Sequence, residues 1–362
     1  MKIAFYGVRP EEKAQLERLI GQSLPQMTVT YSEERNLLKA VERDAEVISV
    51  FIDSKVDREV LDAFPALRFI AARSTGFDHI DLKETAKRGI LVSNVPRYGE
   101  HTVAEFAFAL LLGLSRKLYS AVQRVKEQGD FSTEGLRGFD LMGKTMGIVG
   151  TGHIGRYAVN IALGFGMKVL AYDVCPDAKL ASQLGFSYVA LEDLLRRSDV
   201  VSLHVPYGPT THHLMDQTTL SQMKPTAVLI NTSRGGVVDT MALMEALTTK
   251  KIAGAGLDVV EEEGAIQDEA AFLTHGHAPS AALATVLENH VLMKMPNVLI
   301  TPHMAFKTDE ALQRILETTM ENILAWSQGH PRSLVAGAEH IRGSSITPSL
   351  KGAAWEETNK PD

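Results

Sequence analysis

The chain has 362 residues, of which 45% are hydrophobic and 22% charged, so it is long enough for two domains that each have a core. Its formal net charge of −7 argues against a nucleic-acid-binding surface, and apolar runs such as Phe106–Leu114 are too short to cross a bilayer. The single cysteine, Cys175, excludes an intramolecular disulfide and favours a reducing, cytoplasmic compartment.

The first block of the chain alternates short apolar runs with charged stretches of helical period. The opening run lacks the cleavage pattern of a signal peptide, so we expect a buried strand there. Helices are expected at Glu11–Ile20 and Asp81–Lys87. Strands are expected at Lys2–Tyr6, Val47–Phe51, Arg68–Ala71 and Ile90–Ser93. This alternation predicts a domain built on a parallel sheet with covering helices.

A long apolar segment follows the first block. Thr102 and Glu105 have the spacing of a capping box, so a helix is expected to begin at Thr102. The apolar pattern continues through Leu114 and on towards Val125. We interpret this segment as a helix that connects two domains.

A second block with the same alternation begins at Thr145 and predicts a Rossmann-sized parallel sheet. Six strands are expected, at Thr145–Val149, Lys168–Tyr172, Val200–His204, Ala227–Asn231, Ala255–Asp258 and Val298–Thr301. An amphipathic helix from Asp309 to about Trp326 follows without a further strand, so it could return to pack on the first domain. Residues 336–362 are rich in Gly, Ser, Thr, Pro and charge, which predicts a flexible tail.

The first strand of the second block leads into a G-x-G-x-x-G pattern made by Gly150, Gly152 and Gly155. The glycines permit a tight turn and a close approach to a pyrophosphate, and the following helix offers free amides and a positive dipole end. Asp173 ends the next strand, where a carboxylate can bind adenosine ribose hydroxyls and repel a 2′-phosphate. The alternative is that Asp173 only caps a helix or a turn. The block is therefore predicted to bind NAD rather than NADP.

Three later strands are followed by an arginine, a carboxylate and a histidine, namely Arg234, Glu263 and His303. Because ligands bind at the carboxyl ends of parallel strands, we expect the three side chains at one rim of the sheet. A guanidinium can hold a carboxylate bidentately and polarise the adjacent carbonyl, and an imidazole can protonate a new alkoxide. Glu263 would bind the other imidazole nitrogen and fix its tautomer. The set predicts reduction of a 2-keto acid.

Each of these residues also has a structural interpretation. Arg234 could be a surface arginine, and Glu263 lies in the acidic run Glu261–Glu263, which by default is a solvated loop. Most of the 12 histidines are expected at surface or capping positions, and none has the spacing of a zinc site, so no metal is predicted. Joint placement on one sheet edge, downstream of the glycine pattern, favours the catalytic interpretation.

Several segments together carry a family resemblance. They are Thr75–Asp81, Asn94–Pro96 with Tyr98, Val103–Glu105, the glycine pattern, His204–Pro206, Asn231–Gly235, Gly256–Val259 and Thr301–Ala305. On these segments, which span roughly residues 45–330, the chain resembles the D-isomer-specific 2-hydroxyacid dehydrogenases. Phe306 and Thr308 are similar to the D-lactate dehydrogenase branch.

The resemblance implies two α/β domains, Rossmann-like or flavodoxin-like, with the active-site cleft between them. Residues 1–98 and 303–335 would form a discontinuous substrate domain, and residues 99–302 the NAD-binding domain. The catalytic set would be Arg234, Glu263 and His303, and the substrate would also meet Thr75, Gly76 and Tyr98. The cofactor would meet Gly150, Gly152, His153, Ile154, Gly155, Asp173, Val205, Pro206, Thr211, Thr232, Ser233, Arg234 and Asp258. The family also implies a homodimer.

The predicted function is NAD-dependent reduction of a small 2-keto acid to the D-2-hydroxy acid, with pyruvate reduction to D-lactate as the first choice. Reduction of hydroxypyruvate, glyoxylate or a bulkier 2-keto acid is the alternative within the class. A corepressor-like protein that senses NAD by binding it is the alternative from another class. No nucleic acid or membrane is expected as a partner.

Overall fold

The computed structural model describes residues 1–23, 26–267 and 280–335 and divides into two compact units. Unit 1 comprises Met1–Arg97 and Gln313–Asp362, and unit 2 comprises Tyr98–Leu312. The predicted boundary between residues 302 and 303 lies ten residues (312 minus 302) before this division. The backbone of residues 303–305 is hydrogen-bonded to Asp258 of unit 2, which accounts for the difference. The predicted tail, 336–362, lies outside the described residues.

Unit 1 contains a five-stranded parallel sheet with the order β2-β1-β3-β4-β5. Its strands are β1 (Lys2–Tyr6), β2 (Thr28–Ser32), β3 (Val47–Val50), β4 (Phe69–Ala72) and β5 (Leu91–Ser93). Its first helices are α1 (Pro10–Ser23), α2 (Arg58–Ala63) and α3 (Leu82–Lys87). Asp57 and Asp81 cap α2 and α3 by accepting bonds from amides in the first turn.

Unit 2 contains a seven-stranded parallel sheet with the order β12-β11-β10-β9-β6-β7-β8. Its strands are β6 (Thr145–Val149), β7 (Lys168–Tyr172), β8 (Ser187–Tyr188), β9 (Val200–Leu203), β10 (Val228–Asn231), β11 (Gly254–Leu257) and β12 (Val298–Ile300). The described helices are α4 (Glu100–Ser115), α5 (Leu118–Gln123), α6 (His153–Gly164), α7 (Ala178–Leu184), α8 (Leu191–Arg197), α9 (Gln217–Ser221), α10 (Thr240–Thr248), α11 (Glu263–Gln267) and α12 (Ser280–Lys294). The strand order reverses on the two sides of β6, which makes a ligand-binding switch point at its carboxyl end.

The last described helix, α13 (Asp309–Ser327), packs on the first sheet, as the sequence predicts. Its residues Leu316 and Ile323 are buried in one cluster with Phe69 of β4. The ring of Trp326 stacks on that of Phe69 with 5.0 Å between centroids. All residues of β3 and β4 are buried, because helices cover both faces of the sheet.

Strands β2 and β8 were not predicted from the sequence. Both lie at a sheet edge, and each pairs with one neighbour in the described structure. In β2, every residue is exposed or only partly buried, and β8 has two residues. Edge strands this polar or short lack the continuous apolar run that marks a buried strand.

Helix α4 differs from its prediction at both ends. It begins at Glu100 after Gly99, and the carbonyl of Gly99 accepts the first bond of the helix from Val103. Thr102 lies inside the first turn and is buried, so the predicted capping box is wrong. The helix ends at Ser115 because Lys117 has a left-handed backbone with φ of 53°, and α5 starts afresh after it. No helix among the described residues combines the length and apolarity that a membrane span requires.

Candidate active site

The glycine loop (Gly150–Gly155) joins β6 to α6. Gly150 has φ of +94°, and a Cβ there would lie 2.6 Å from the carbonyl oxygen of His204. A Cβ on Gly155 would lie 2.0 Å from the carbonyl oxygen of Gly150, so α6 can approach the loop only with glycine here. A Cβ on Gly152 would meet nothing within 4 Å, and no side chain caps α6. Open space beside uncapped helix amides fits the pyrophosphate of a dinucleotide.

Asp173 lies directly after β7 and is held by three donors. Its Oδ2 accepts from the amide and hydroxyl of Thr151 at 2.7 and 2.9 Å, and its Oδ1 accepts from the amide of Cys175 at 2.8 Å. Burial would raise the pKa of this carboxyl, but the bonds from Cys175 and Thr151 outweigh burial and hold the pKa below its ordinary value. A fixed carboxylate at this strand end fits the ribose of NAD and disfavours a 2′-phosphate.

A buried hydroxyl next to β10 also fits a bound ligand. Thr232 is 8% exposed, and its Oγ1 finds no hydrogen-bond partner among the residues that the structure describes. The amide and hydroxyl of Ser233 both donate to Oδ1 of Asn231, at 3.0 and 2.7 Å, which shapes the loop. Because an unsatisfied buried hydroxyl is costly, a polar ligand at Thr232 would be favourable.

The other predicted cofactor residues lie at the starts and ends of neighbouring elements. His153 and Ile154 are the first residues of α6. Val205 and Pro206 follow β9 closely. The hydroxyl of Thr211 donates to the carbonyl of Pro206 at 2.6 Å, so the structure uses it to shape this turn. A direct contact between Thr211 and the cofactor stays a prediction.

The segment after β12 is anchored by the buried carboxylate of Asp258, which is 1% exposed. It accepts from the hydroxyl of Thr301 at 2.6 Å and from the amides of Met304 and Ala305 at 2.9 and 2.8 Å. Burial raises the pKa of Asp258 and outweighs the lowering by these bonds. The amide of His303 donates to the carbonyl of Asp258 at 2.9 Å, and His303 has φ of 50°. Asp258 thus holds the left-handed backbone of His303 in place, and its predicted contact with the cofactor stays a prediction.

His303 and Glu263 form a direct pair. Nδ1 of His303 lies 2.9 Å from Oε2 of Glu263, and Oε1 of Glu263 accepts from the amide of Val260 at 3.0 Å. The side chains of His303 and Glu263 are 20% and 26% exposed, so the pair is shielded but not sealed from solvent. Because Glu263 engages Nδ1, Nε2 is the imidazole atom that can exchange a proton with a substrate.

Arg234 and Tyr98 belong to the same unit as this pair. Burial raises the pKa of the Tyr98 phenol to about 12, and the nearby charge of Arg234 opposes that rise. Nη1 of Arg234 donates to the carbonyl of Ser233 at 2.8 Å. The ring of Phe306 meets those of Tyr98 and His303 edge-on, at centroid distances of 6.2 and 6.5 Å. Phe306 therefore packs against both the histidine and the tyrosine.

A cavity of about 540 Å³ in unit 2 has Asp258, Glu263 and His303 in its wall. Its other lining residues are mostly apolar, including Leu110 and Met293. Charges beside a space of low polarity interact more strongly than they do in water.

Thr75 and Gly76 belong to unit 1 and follow β4. Thr75 donates its hydroxyl proton to the carbonyl of Val95 at 2.8 Å, and its carbonyl accepts from Nδ2 of Asn94 at 2.7 Å. These bonds fix the loop that carries both residues. Their contact with a substrate stays a prediction.

Comparison with known proteins decides the family. A model of the NAD-binding domain of D-isomer specific 2-hydroxyacid dehydrogenases matches residues 108–305, which is more than half of the chain. The chain belongs to the D-isomer specific 2-hydroxyacid dehydrogenase family. It is thus an NAD-dependent oxidoreductase, and the predicted family, fold class and cofactor are confirmed.

Relatives within the D-isomer specific 2-hydroxyacid dehydrogenase family differ in the substrates that name them. The chain is 40% identical to a glyoxylate reductase of Korarchaeum cryptofilum, over 81% of this chain and 83% of that protein. It is 35% identical to the D-lactate dehydrogenase of Escherichia coli, over 92% of this chain and 100% of that protein. The crystal structure of Aquifex aeolicus D-lactate dehydrogenase complexed with NAD and lactic acid matches with a TM-score of 0.80 and 38% identity, covering 91% and 96% of the two chains.

Thr301 and Phe306 were not predicted from the sequence to have a role in the site. Thr301 bonds a carboxylate 43 residues away, so no local spacing could reveal the contact. Phe306 lies three residues after His303, and its aromatic character was visible only as a mark of the lactate branch. Its packing against the rings of Tyr98 and His303 is evident only in the folded dehydrogenase.

Proposed function

We infer that the chain reduces pyruvate to D-lactate with NADH, with His303 as the acid that protonates the product oxygen. The observation that carries this proposal is the 2.9 Å contact between Nδ1 of His303 and Oε2 of Glu263. Arg234 and the glycine loop belong to the same unit as that pair. Two of the similar proteins described above are D-lactate dehydrogenases, which supports pyruvate as the substrate.

Substrate binding would depend on Arg234 and Tyr98. The guanidinium of Arg234 would hold the carboxylate through two parallel hydrogen bonds and polarise the neighbouring carbonyl. With its pKa at about 12, the Tyr98 phenol stays protonated at neutral pH and can donate a hydrogen bond. The backbone amides of Thr75 and Gly76 would complete the contacts with the substrate.

Bound NADH supplies the hydride that goes to C2 of the keto acid. His303 would give its Nε2 proton to the oxygen on C2 as negative charge develops there. Glu263 would accept a hydrogen bond from Nδ1 throughout, which orients the ring and stabilises the imidazolium. The glycine loop would hold the pyrophosphate, and Asp173 would hold the adenosine ribose. Asp258 keeps the backbone of His303 in position during the proton transfer.

Reduction of glyoxylate or hydroxypyruvate is a second candidate function, because one similar protein, at 40% identity, is a glyoxylate reductase. A bulkier 2-keto acid would use the same acid and the same arginine. These substrates share the keto-acid group that Arg234 and His303 would recognise, and they differ only in the side chain at C2. The three candidates therefore differ in specificity and not in mechanism.

A panel of 2-keto acids, each tested with NADH and NADPH, distinguishes these candidates. We expect pyruvate to have the highest kcat/KM, at least about tenfold above keto acids with branched side chains. We expect NADH to be preferred over NADPH because Asp173 repels a 2′-phosphate. A higher kcat/KM for glyoxylate or hydroxypyruvate would replace pyruvate as the proposed substrate.

The variant His303→Gln tests the acid directly. We expect kcat to fall by about 10²–10⁴-fold with little change in NADH affinity, because glutamine cannot transfer a proton. His330→Gln, an exposed histidine of unit 1, is the matched control and should keep the wild-type kcat. Wild-type turnover by His303→Gln would remove His303 from the proposed mechanism.

We also infer that the protein is a cytoplasmic homodimer. Exposed apolar side chains cluster along α5 and the segment after it, where Leu118 and Tyr119 are 57% and 62% exposed and Phe131 is 84% exposed. Patches of this kind favour association with another protein surface. The exposed thiol of Cys175 fits a reducing compartment. Sedimentation at the mass of one chain would contradict the dimer.

A further inference from the structure

A second histidine–carboxylate pair lies next to the His303–Glu263 pair in the chain. Nε2 of His213 lies 2.8 Å from Oε1 of Glu261, and Glu261 is two residues before Glu263. The acidic run Glu261–Glu263 therefore binds two different histidines through alternate residues. No step of the proposed mechanism uses His213 or Glu261.

Glu261 is joined to three separate segments of unit 2. Its Oε1 pairs with His213 in the turn before α9, and its Oε2 accepts from the amide and hydroxyl of Thr240, at 3.0 and 2.7 Å, where α10 begins. Its carbonyl accepts from Nδ2 of Asn289, a fully buried residue of α12, at 2.8 Å. The Glu261 side chain is 19% exposed. These hydrogen bonds to its side chain and its main-chain carbonyl hold Glu261 in one position in the loop.

Two carboxylates, those of Glu261 and Asp239, lie beside the imidazole of His213, and a third, that of Glu288, interacts with both of them. Oδ2 of Asp239, the residue that caps α10, lies 3.7 Å from Nδ1 of His213. The pKa of Glu288 on α12 is raised by burial and then by the negative charges of Asp239 and Glu261. The ring of His212 stacks on His213 with 3.9 Å between centroids. His213 thus supplies a hydrogen-bond donor where like charges would otherwise repel Glu261.

The turn from Val260 to Glu263 transmits the position of Glu261 to the acid–base pair. The amide of Val260 donates to Oε1 of Glu263 at 3.0 Å, so the turn is closed on itself. Glu262 has a left-handed backbone with φ of 54°, and its carbonyl accepts from the amide of Ala265 at 3.0 Å. A shift of Glu261 would therefore move Glu263 and lengthen its 2.9 Å contact with His303.

We propose that His213 and Glu261 are positioning residues that hold Glu263 against Nδ1 of His303. They act through Glu263 and do not touch the reacting atoms. This assignment rests on the proposed acid–base role of His303. Loss of the His213 donor would lower turnover without weakening the binding of NADH, because the glycine loop and Asp173 are separate from the acidic run.

Two variants of His213 and one matched control test the assignment. His213→Leu removes the donor, whereas His213→Gln keeps an amide that can donate to Glu261. The control Lys224→Leu breaks the 2.8 Å ion pair between Lys224 and Asp199 elsewhere in unit 2. The side chains of Lys224 and Asp199 are 34% and 22% exposed, and those of His213 and Glu261 are 34% and 19% exposed, so the two pairs are matched in burial. The measurements are kcat, the keto-acid KM, the dissociation constant of NADH and the pH profile of kcat, with His303→Gln assayed in parallel.

We expect His213→Leu to lower kcat by about tenfold to a hundredfold, as a small displacement of a catalytic group does, with NADH affinity unchanged. In the pH profile of keto-acid reduction, the limb on which kcat falls with rising pH should move to lower pH. The reason is that a displaced Glu263 stabilises the imidazolium of His303 less. His213→Gln should recover most of kcat, and Lys224→Leu should match the wild type. Glu261→Gln, which keeps the size of the side chain, should reproduce the effect of His213→Leu. It replaces His213→Leu as the test if that variant does not fold.

The proposal is overturned if His213→Leu and Glu261→Gln match Lys224→Leu in both kcat and pH profile. It is also overturned if His213→Gln recovers nothing, since the donor would then not matter. His303→Gln separates this failure from that of the proposed function. A low kcat for His303→Gln together with an unaffected His213→Leu refutes only the positioning role, whereas wild-type turnover by His303→Gln refutes the mechanism on which the role depends.

Discussion

The candidate chemistry depends on residues that are each held by more than one partner. Glu263 bonds both His303 and the amide of Val260. Asp258 bonds the hydroxyl of Thr301 and two amides beyond His303. Such duplication orients the imidazole before any substrate arrives, so little reorganisation would be needed during proton transfer. The position of His303 is thus set by two carboxylates with different tasks.

Arg234→Lys tests whether the fork geometry of the guanidinium matters. An ammonium cannot form two parallel bonds to one carboxylate, so we expect the keto-acid KM to rise and kcat to fall. Loss of one charge-assisted bond of about 1.5–3 kcal/mol corresponds to a decrease of about 10- to 100-fold in kcat/KM. Arg196→Lys is the control, because the Arg196–Asp193 pair is largely exposed and should contribute little. Unchanged kinetics in Arg234→Lys would remove Arg234 from the substrate site.

At the scale of elements, the glycine loop and α6 act as one unit. The carbonyl oxygen of Gly150 lies where a side chain at Gly155 would be, so the start of α6 lies against the end of β6. This close packing points the free amides of α6 towards the space beside Gly152. The proposed cofactor site therefore depends on how the helix meets the strand, and not on single side chains.

Gly155→Ala should damage this element and its binding function together. The new Cβ would lie 2.0 Å from a backbone oxygen, which cannot move aside cheaply. We expect the free energy of unfolding to fall by about 1–3 kcal/mol and NADH affinity to drop. Gly164→Ala, at the other end of α6, has nothing within 4 Å of its Cβ and should keep wild-type affinity. Urea unfolding and fluorescence titration with NADH measure both effects, and equal affinities would contradict the packing argument.

At the scale of the whole molecule, pH should act on stability through a half-buried histidine. His204 follows β9, and its Nε2 lies 2.9 Å from the hydroxyl of Ser202. Burial lowers the pKa of His204 from 6.5 to about 4. Between pH 6.5 and 4, His204 is therefore protonated in the unfolded chain but neutral in the folded chain. Stability from this residue is complete above pH 6.5 and is lost as the pH falls towards 4.

His204→Gln should flatten this pH dependence. The difference between the two pKa values limits the decrease in the wild-type free energy of unfolding to about 3 kcal/mol between pH 6.5 and 4. Over the same pH range, the free energy of unfolding of His204→Gln should decrease less by that amount. His330→Gln replaces an exposed histidine and should follow the wild-type curve. Free energies of unfolding in urea at several pH values measure the difference. Parallel curves for the wild type and His204→Gln would show that burial of His204 does not control acid stability.

How far the sequence predicted the molecule varies with the range of the interactions involved. Strands β6 and β7 were predicted to the residue, because continuous apolar runs between polar ends are a local signal. The edge strand β2 was not, because its pairing with β1 joins segments distant in the chain. The start of α4 was not, because Gly99 caps the helix without a side-chain hydrogen bond. Among the site residues, the His303–Glu263 contact was anticipated, whereas the anchors Thr301 and His213 were not.

The sequence alone determined the family and the glycine loop between β6 and α6. It also predicted Asp173 as the carboxylate for NAD and Arg234, Glu263 and His303 as the catalytic set. The tertiary structure decided that Glu261, two residues before the anticipated partner of His303, serves a different histidine, His213. Only the closed turn and the left-handed backbone of Glu262 send Glu261 to His213 and Glu263 to His303. The physical reason is that the backbone conformation of this run depends on hydrogen bonds to segments tens of residues away. A local sequence pattern contains no information about those bonds.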